Sequence, residues 1–270
     1  MNPRETQSLA AADLERRFGG VARLYGTRAY ARLRAAHVVV IGVGGVGSWA
    51  AEALARSAVG TLTLIDLDHI AESNTNRQVH ALGDEFGKAK VTAMAARIAA
   101  INPDAQVNCI EDFVTTDNAS SIVPDCDAVL DCIDQVAPKA ALLAACSKRG
   151  LAVFTSGAGG GRTDPTRIRS TDLALVDGDP LLAKVRYRLR RHHGFARERV
   201  DANGHVRVSK FDITAIYSDE TIRGKTSGGA ALACAGYGSV VTVTASLGLA
   251  LAACALQRIA DRGADKETSD

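Results

Sequence analysis

Apolar residues fall into short β-branched runs that alternate with stretches of helical period. "HVVVIGVGG" (37–45) is a β-branched run entering glycines, "VGSWAAEALARSAVG" (46–60) predicts a helix ending at Gly60, and "TLTLIDLD" (61–68) predicts a second strand. Strands this uniformly apolar suit a parallel sheet covered on both faces. After a polar loop, "GKAKVTAMAARIAAINP" (87–103) predicts a helix stopped at Asn102-Pro103. "AQVNCIED" and "CDAVLDCID" predict two more strands, with room for a helical turn between them. "APKAALLAACSKRG" predicts a helix stopped by Gly150, and "LAVFTSGAGGG" a strand running into a glycine-rich bend.

The alternation predicts an α/β fold built on a Rossmann-like, doubly wound, mostly parallel sheet. Past residue 160 the pattern loosens. "TRIRSTDLA" predicts a strand, 179–193 a basic helix, 205–217 one or two strands, 218–236 a crossover loop and 237–260 a final helix. The organisation is therefore an N-terminal arm (1–36), a nucleotide-binding unit (37–160), a small C-terminal extension (161–260) and a tail (261–270). Both tails read as disordered. Residues 238–256 carry no charge and are long enough to span a bilayer. Their Ala, Gly, Ser and Thr content favours a buried helix over a membrane segment.

Hydrophobic residues make up 47% of the chain and charged residues 23%, which fits a water-soluble globular protein. A net charge of +2 excludes general polyanion affinity, so no DNA partner is expected and any RNA site needs local clustering. The first sixteen residues contain no apolar signal core, and six cysteines form no C-x-x-C pair. Reduced thiols in a cytoplasmic protein are expected, with neither a disulfide framework nor a zinc knot.

"GVGGVG" (42–47) leaves a strand and opens a helix, so Gly42, Gly44 and Gly47, with Gly45 beside them, stand where a nucleotide-binding loop requires glycine. Helix N-terminal amides then face a phosphate, and Asp66, closing the next strand, is placed to accept ribose hydroxyls. "RGKTS" (223–227) has neither the strand nor the first glycine of a Walker loop and reads as surface.

Asp66 alone would suit an NAD(P) oxidoreductase, but its neighbours do not. Asn74, Asn76 and Arg77 follow in "SNTNRQ", then Lys88 and Lys90 at a helix start. By strand-end geometry the glycine loop, Arg77, Lys90 and the two carboxylates Asp131 and Asp134 of "LDCIDQ" gather in one crevice, with Lys88 on a different helix face. Arg and Lys neutralise phosphate oxygens, and a carboxylate can hold Mg²⁺ across them, so this inventory suits a triphosphate. Lys90 is expected at an exposed helical position, its stem along the helix and its ammonium in the crevice.

These motifs resemble the nucleotide-binding domain of the ThiF/MoeB/HesA family, relatives of ubiquitin-activating enzymes that adenylate a carboxylate with ATP and Mg²⁺. The likeness is strong over 17–160 and weaker over the final helix. It implies that Asp66 binds the ATP ribose, Asn74 supports the phosphates, Arg77 and Lys90 stabilise them as pyrophosphate leaves, and Asp134 holds Mg²⁺. "RFGGVARLYG", "TNRQVHAL", "EDFVTTDN" and "SGAGGGRTDPTRI" are most similar to the subgroup that dehydrates threonylcarbamoyladenosine in tRNA. That likeness implies adenylation of the threonyl carboxylate, then ring closure with release of AMP. It also implies a homodimer, an arginine (Arg17 or Arg23) reaching across it, and a link to a sulfur-acceptor or cysteine desulfurase system. The same-chemistry rival is activation of a sulfur-carrier protein's C-terminal carboxylate. Cys234 reads as a structural thiol.

A tRNA substrate needs a basic surface, and "KVRYRLRRHHGFARER" (184–199) supplies Lys184, Arg186, Arg188, Arg190, Arg191, Arg197 and Arg199 against Glu198 alone. The first five are the expected tRNA contacts. His192 and His193 belong to the same face.

Overall fold

The computed structural model describes residues 13–200, 203, 205–223 and 237–262. Cys234, residues 224–227 of the "RGKTS" segment and both outer tails lie outside the described residues.

Nine strands are present among the described residues: β1 (His37–Ile41), β2 (Thr61–Ile65), β3 (Gln106–Ile110), β4 (Ala128–Asp131), β5 (Val153–Ser156), β6 (Ile168–Asp172), β7 (Arg199–Val200), β8 (Val206–Arg207) and β9 (Thr214–Ser218). Seven of them form one sheet in the order β3-β2-β1-β4-β5-β9-β6, while β7 and β8 pair as a separate ribbon. All neighbours in the large sheet are parallel except β6 and β9, which run antiparallel with Ser170 opposite Ile216. The expected doubly wound, mostly parallel sheet is what forms. Residues after 160 extend that same sheet through β9 and β6.

The helices are α1 (Leu14–Tyr25), α2 (Thr27–Ala35), α3 (Gly47–Arg56), α4 (Lys90–Ile101), α5 (Val136–Lys148), α6 (Pro180–His192) and α7 (Val241–Ala260). One apolar layer joins Val38 and Val40 of β1 to α3, α4 and α7. The other joins Val39 and Ile41 to α5 and α6. Alternate β1 residues thus face opposite layers, as a strand covered on both sides must.

α7 is long and apolar enough to cross a membrane by composition, with mean hydropathy 1.5. Here it is a core helix. Val243, Leu247, Leu251, Ala255 and Ile259 are buried, and a Cβ at Gly248 would overlap the Val46 carbonyl at the start of α3.

Several boundaries differ from the sequence expectation. α3 stops at Arg56, and the left-handed residue after it is Ala58 (φ 63°), not a glycine. Gly60 serves another purpose: a Cβ there would overlap the Arg34 carbonyl where β2 begins. α4 starts at Lys90 because residues 87–89 first run back along 68–70, with Gly87 N–H on Ile70 O and Lys90 N–H on Asp68 O. Between β3 and β4 the chain makes turns without a helix.

Candidate functional site

β2 and β3 extend the sheet on one side of β1, and β4 and β5 on the other, so the winding reverses between β1 and β4. A crevice beyond the carboxyl ends of the strands is the expected ligand site of such a sheet. A cavity of about 390 Å³ lies there, of the size that takes a small ligand. Its walls include Gly42, Gly44, Gly45, Asp66, Asp68, Arg77, Gln78, Lys90, Asp134, Gly157, Gly159 and Thr244.

Gly42 holds φ 83°, and a Cβ on it would press on the Cys132 carbonyl at 3.0 Å. Gly47 does not line the cavity; a Cβ there would overlap the Gly42 carbonyl, so its absence lets the loop fold back onto α3. Gly45 takes the Arg77 stem against it, with Arg77 Cδ 3.1 Å from where a Cβ would sit. No side chain among the described residues caps α3, which leaves N-terminal amides for an anion.

Asp66 follows β2, and its carboxylate accepts from the Val43 N–H at 2.6 Å and the Asp68 N–H at 2.9 Å. Burial pushes its carboxyl up from the ordinary value, opposed by the nearby Lys90 ammonium and then by those N–H groups. Lys90 is 6% exposed, so the exposed position expected for it is corrected. Its Nζ donates to Asp68 at 2.6 Å and lies 3.9 Å from Asp66. The backbone return through 87–89 buries it, and helical periodicity carries no sign of that.

Arg77 Nη1 donates to Ser73 O and Asn76 Oδ1, both at 2.9 Å, leaving the guanidinium on the cavity wall. Asn74 is not on that wall. Its Oδ1 accepts from Ala71 N–H at 3.1 Å, and its carbonyl accepts from Arg77 and Gln78 N–H. Asn74 therefore builds the turn that presents Arg77, and its side chain lies behind the cavity wall. Asn76 ties this turn to Ser239 O ahead of α7.

Of the two acids placed in the crevice by the sequence, only Asp134 faces it. Asp134 is exposed at the β4–α5 turn and makes no ion pair among the described residues. Asp131 is fully buried, paired with Lys139 at 2.9 Å and bonded to Thr155 Oγ1 at 2.7 Å. A period-two strand puts it on the opposite face from Leu130, in a polar cluster inside the fold.

Sequence reasoning missed three participants. Gln78 lines the cavity while almost fully buried, and its Oε1 has no partner among the described residues. Arg162 and Asp179 form a fully buried pair at 3.0 Å. Asp179 Oδ1 caps α6 through Leu182 N–H at 2.9 Å, while its Oδ2 accepts from Ala158 N–H at 3.2 Å. Arg162 also donates to the carbonyls of Ala158, Gly178 and Glu220. One ion pair thus braces both the glycine bend at the cavity and the start of the basic helix. Asp179 ahead of Pro180 was the available signal, an N-cap before an N1 proline.

The thiol on the cavity wall is held in its protonated, weakly nucleophilic form. Burial pushes Cys132, on the cavity wall, up to about 12. The described cysteines are all free.

α6 divides its basic residues. Leu181, Leu182, Val185 and Leu189 face the core. Arg186 donates to Val176 O, and Arg190 pairs with Glu198 at 2.8 Å and lies over the Phe211 ring. These two expected tRNA contacts are committed to the fold. Lys184 and Arg191 are exposed, with Arg188 half-buried beside them.

A switch-point cavity walled by a glycine cradle, a ribose-type acid and two cations defines a nucleotide-using Rossmann-like protein, and the chain belongs to the ThiF family, whose model matches residues 19–269. Within it, the chain is 43% identical to the tRNA threonylcarbamoyladenosine dehydratase of Escherichia coli, covering 92% of this chain and 95% of that protein. It is 42% identical to the Haemophilus influenzae protein of the same name, covering 92% and 93%. The crystal structure of the Escherichia coli dehydratase with ATP superposes with a TM-score of 0.83 at 41% identity, over 94% of this chain and 98% of that one. The same dehydratase with AMP gives the same TM-score.

Proposed function

We propose that this protein uses ATP to dehydrate threonylcarbamoyladenosine in tRNA, closing a ring on the modified base. Likeness to the dehydratases over nearly the whole chain supports this reading, and one observation carries it: Gly44, Gly45, Asp66, Arg77, Lys90 and Asp134 wall a single cavity.

The threonyl carboxylate attacks the α-phosphorus of ATP, and pyrophosphate leaves. A ureido nitrogen then attacks the acyl carbon and loses its proton. AMP departs with one carboxylate oxygen, and the five-membered ring closes. Asp66 accepts the ribose hydroxyls, the loop amides hold phosphate oxygens, and Arg77 and Lys90 stabilise charge as pyrophosphate separates. Asp134 fits Mg²⁺. A lone exposed carboxylate, with no cluster of three or more ligand residues among the described residues, suits an ion held mainly by phosphates and water. When bound, Mg²⁺ would offset the triphosphate charge.

Likeness over nearly the whole chain to tRNA threonylcarbamoyladenosine dehydratases weighs against sulfur-carrier activation. For the homodimer, Arg23 is the better crossing residue. Arg17 is spent on Ala100 O and Ile101 O at the end of α4, whereas Arg23 is exposed beside the exposed Leu24.

The test is mass analysis of tRNA nucleosides after incubation with ATP and Mg²⁺. Loss of one water from threonylcarbamoyladenosine is expected. Unchanged tRNA, together with pyrophosphate exchange driven by a carrier protein, would overturn the reading.

A further inference from the structure

On α6, Lys184, Tyr187, Arg188 and Arg191 stand at helical spacings of three and four and so share one face. The helix carries no acidic residue. Tyr187 is 60% exposed, an unusual position for an aromatic ring. Its ring is held in place: Arg191 Nη1 donates to the Tyr187 hydroxyl at 2.8 Å, and the guanidinium lies 5.9 Å over the ring centroid. An aromatic ring braced by a cation, on a cationic face without acids, fits a nucleobase attached to phosphate. Unpaired bases stack on such rings, and the flanking cations take the backbone.

Position adds to chemistry. Leu181, at the start of the same helix, lines the cavity. Tyr187 is six residues further on, roughly 9 Å along the axis. A nucleotide neighbouring the modified one can reach the ring while the threonyl carboxylate of the modified one meets ATP at the cavity.

We infer that Tyr187, braced by Arg191, is a stacking platform for an unpaired base of the RNA substrate, and that Lys184 contacts its phosphate backbone. This rests on the tRNA reading above. It differs from general basic-helix docking because it names a shape-specific contact and excludes Arg186 and Arg190.

The test measures binding of a hairpin RNA with an unpaired loop, and of a blunt RNA duplex, across a salt titration. Tyr187→Leu weakens hairpin binding by about 5- to 150-fold, the worth of one stacked base, with the salt slope unchanged. Tyr187→Phe keeps the ring but loses the hydroxyl that Arg191 holds and falls between wild type and Tyr187→Leu, duplex binding is unaffected by either, and ATP binding does not move. Lys184→Gln lowers the salt slope by about one. The inference is overturned if Tyr187→Leu binds the hairpin like wild type, or weakens duplex binding equally. It is also overturned if Tyr187→Leu changes the sedimenting mass, since the face would then join two copies of the chain. Dehydration of full tRNA by the wild type separates the two failures. Conversion with no Tyr187→Leu effect sinks only the platform, whereas no conversion sinks the tRNA reading.

Discussion

Lys90→Met removes one charge from the cavity and keeps most of the stem, so rate and stability separate. In the folded chain the ammonium sits 2.6 Å from Asp68 and 3.9 Å from Asp66. Breaking a fully buried pair costs about 3–5 kcal/mol. Here Asp68 is 54% exposed and can hydrate, and Asp66 keeps its two N–H donors, so a loss of roughly 1–2 kcal/mol is expected. On the rate, a cation about 4 Å from developing phosphate charge is worth up to about 4 kcal/mol at an effective dielectric of about 20. Water entering the vacated space recovers part of that, leaving about 2.7 kcal/mol, a hundredfold fall in kcat. The Lys90 charge also holds the Asp66 carboxyl down against its burial. Asp66 accepts ribose hydroxyls more strongly when ionised, so ATP binding is tightest above its raised pKa and weakens as pH falls through it. In Lys90→Met that loss moves to higher pH. Urea unfolding, substrate-dependent pyrophosphate exchange and ATP binding against pH measure the three effects. Lys88→Ala, which breaks only an exposed pair with Glu85, is the control and stays within about 0.5 kcal/mol and near full rate. Wild-type exchange in a destabilised Lys90→Met would make Lys90 purely structural and refute its role at phosphate.

Asp134→Asn weakens use of Mg·ATP and leaves unfolding within about 0.5 kcal/mol, because the acid is exposed and without an ion partner among the described residues; normal exchange across a magnesium titration would remove it from the metal role. Asp179→Ala strands the buried Arg162 charge and uncaps α6, for a loss of about 3–5 kcal/mol in urea unfolding; a loss under 1 kcal/mol would mean the brace is not formed. Burial, with the Lys90 and Arg97 charges, pulls His80 down from 6.5 to about 4, and both ring nitrogens lack partners among the described residues. The unfolded chain therefore binds a proton that the native one refuses, and stability falls by about 3 kcal/mol as pH drops from 6.5 towards 4. His80→Leu flattens that part of the Tm–pH curve, and an unchanged slope would place the proton elsewhere.

The strands, the glycine loop and the post-β2 acid were legible because each depends on local chemistry: β-branched runs, a turn needing φ 83° at Gly42, and an acid closing a strand. Roles that depend on non-local packing were not. Asp131 and Asp134 read as equivalent acids three residues apart, yet the pleat sends one into the core beside Lys139 and the helix-starting turn leaves the other at the cavity. Lys90 looked exposed because the backbone return that buries it has no periodic signature. Arg186 and Arg190 looked like free cations, but Val176 O and Phe211 come from other segments, and Glu198 meets Arg190 only because the chain folds back after the helix. The Arg162–Asp179 brace joins residues from two elements and becomes visible only once they are packed.

The most direct test of carboxylate adenylation follows one oxygen atom. Threonylcarbamoyladenosine in tRNA is labelled with ¹⁸O in the threonyl carboxylate and incubated with this protein, ATP and Mg²⁺, and the AMP is weighed by mass spectrometry. Attack on the α-phosphorus places one labelled oxygen in AMP for each ring closed. Label-free AMP, or ADP and phosphate in its place, would contradict adenylation of the substrate carboxylate in this cavity.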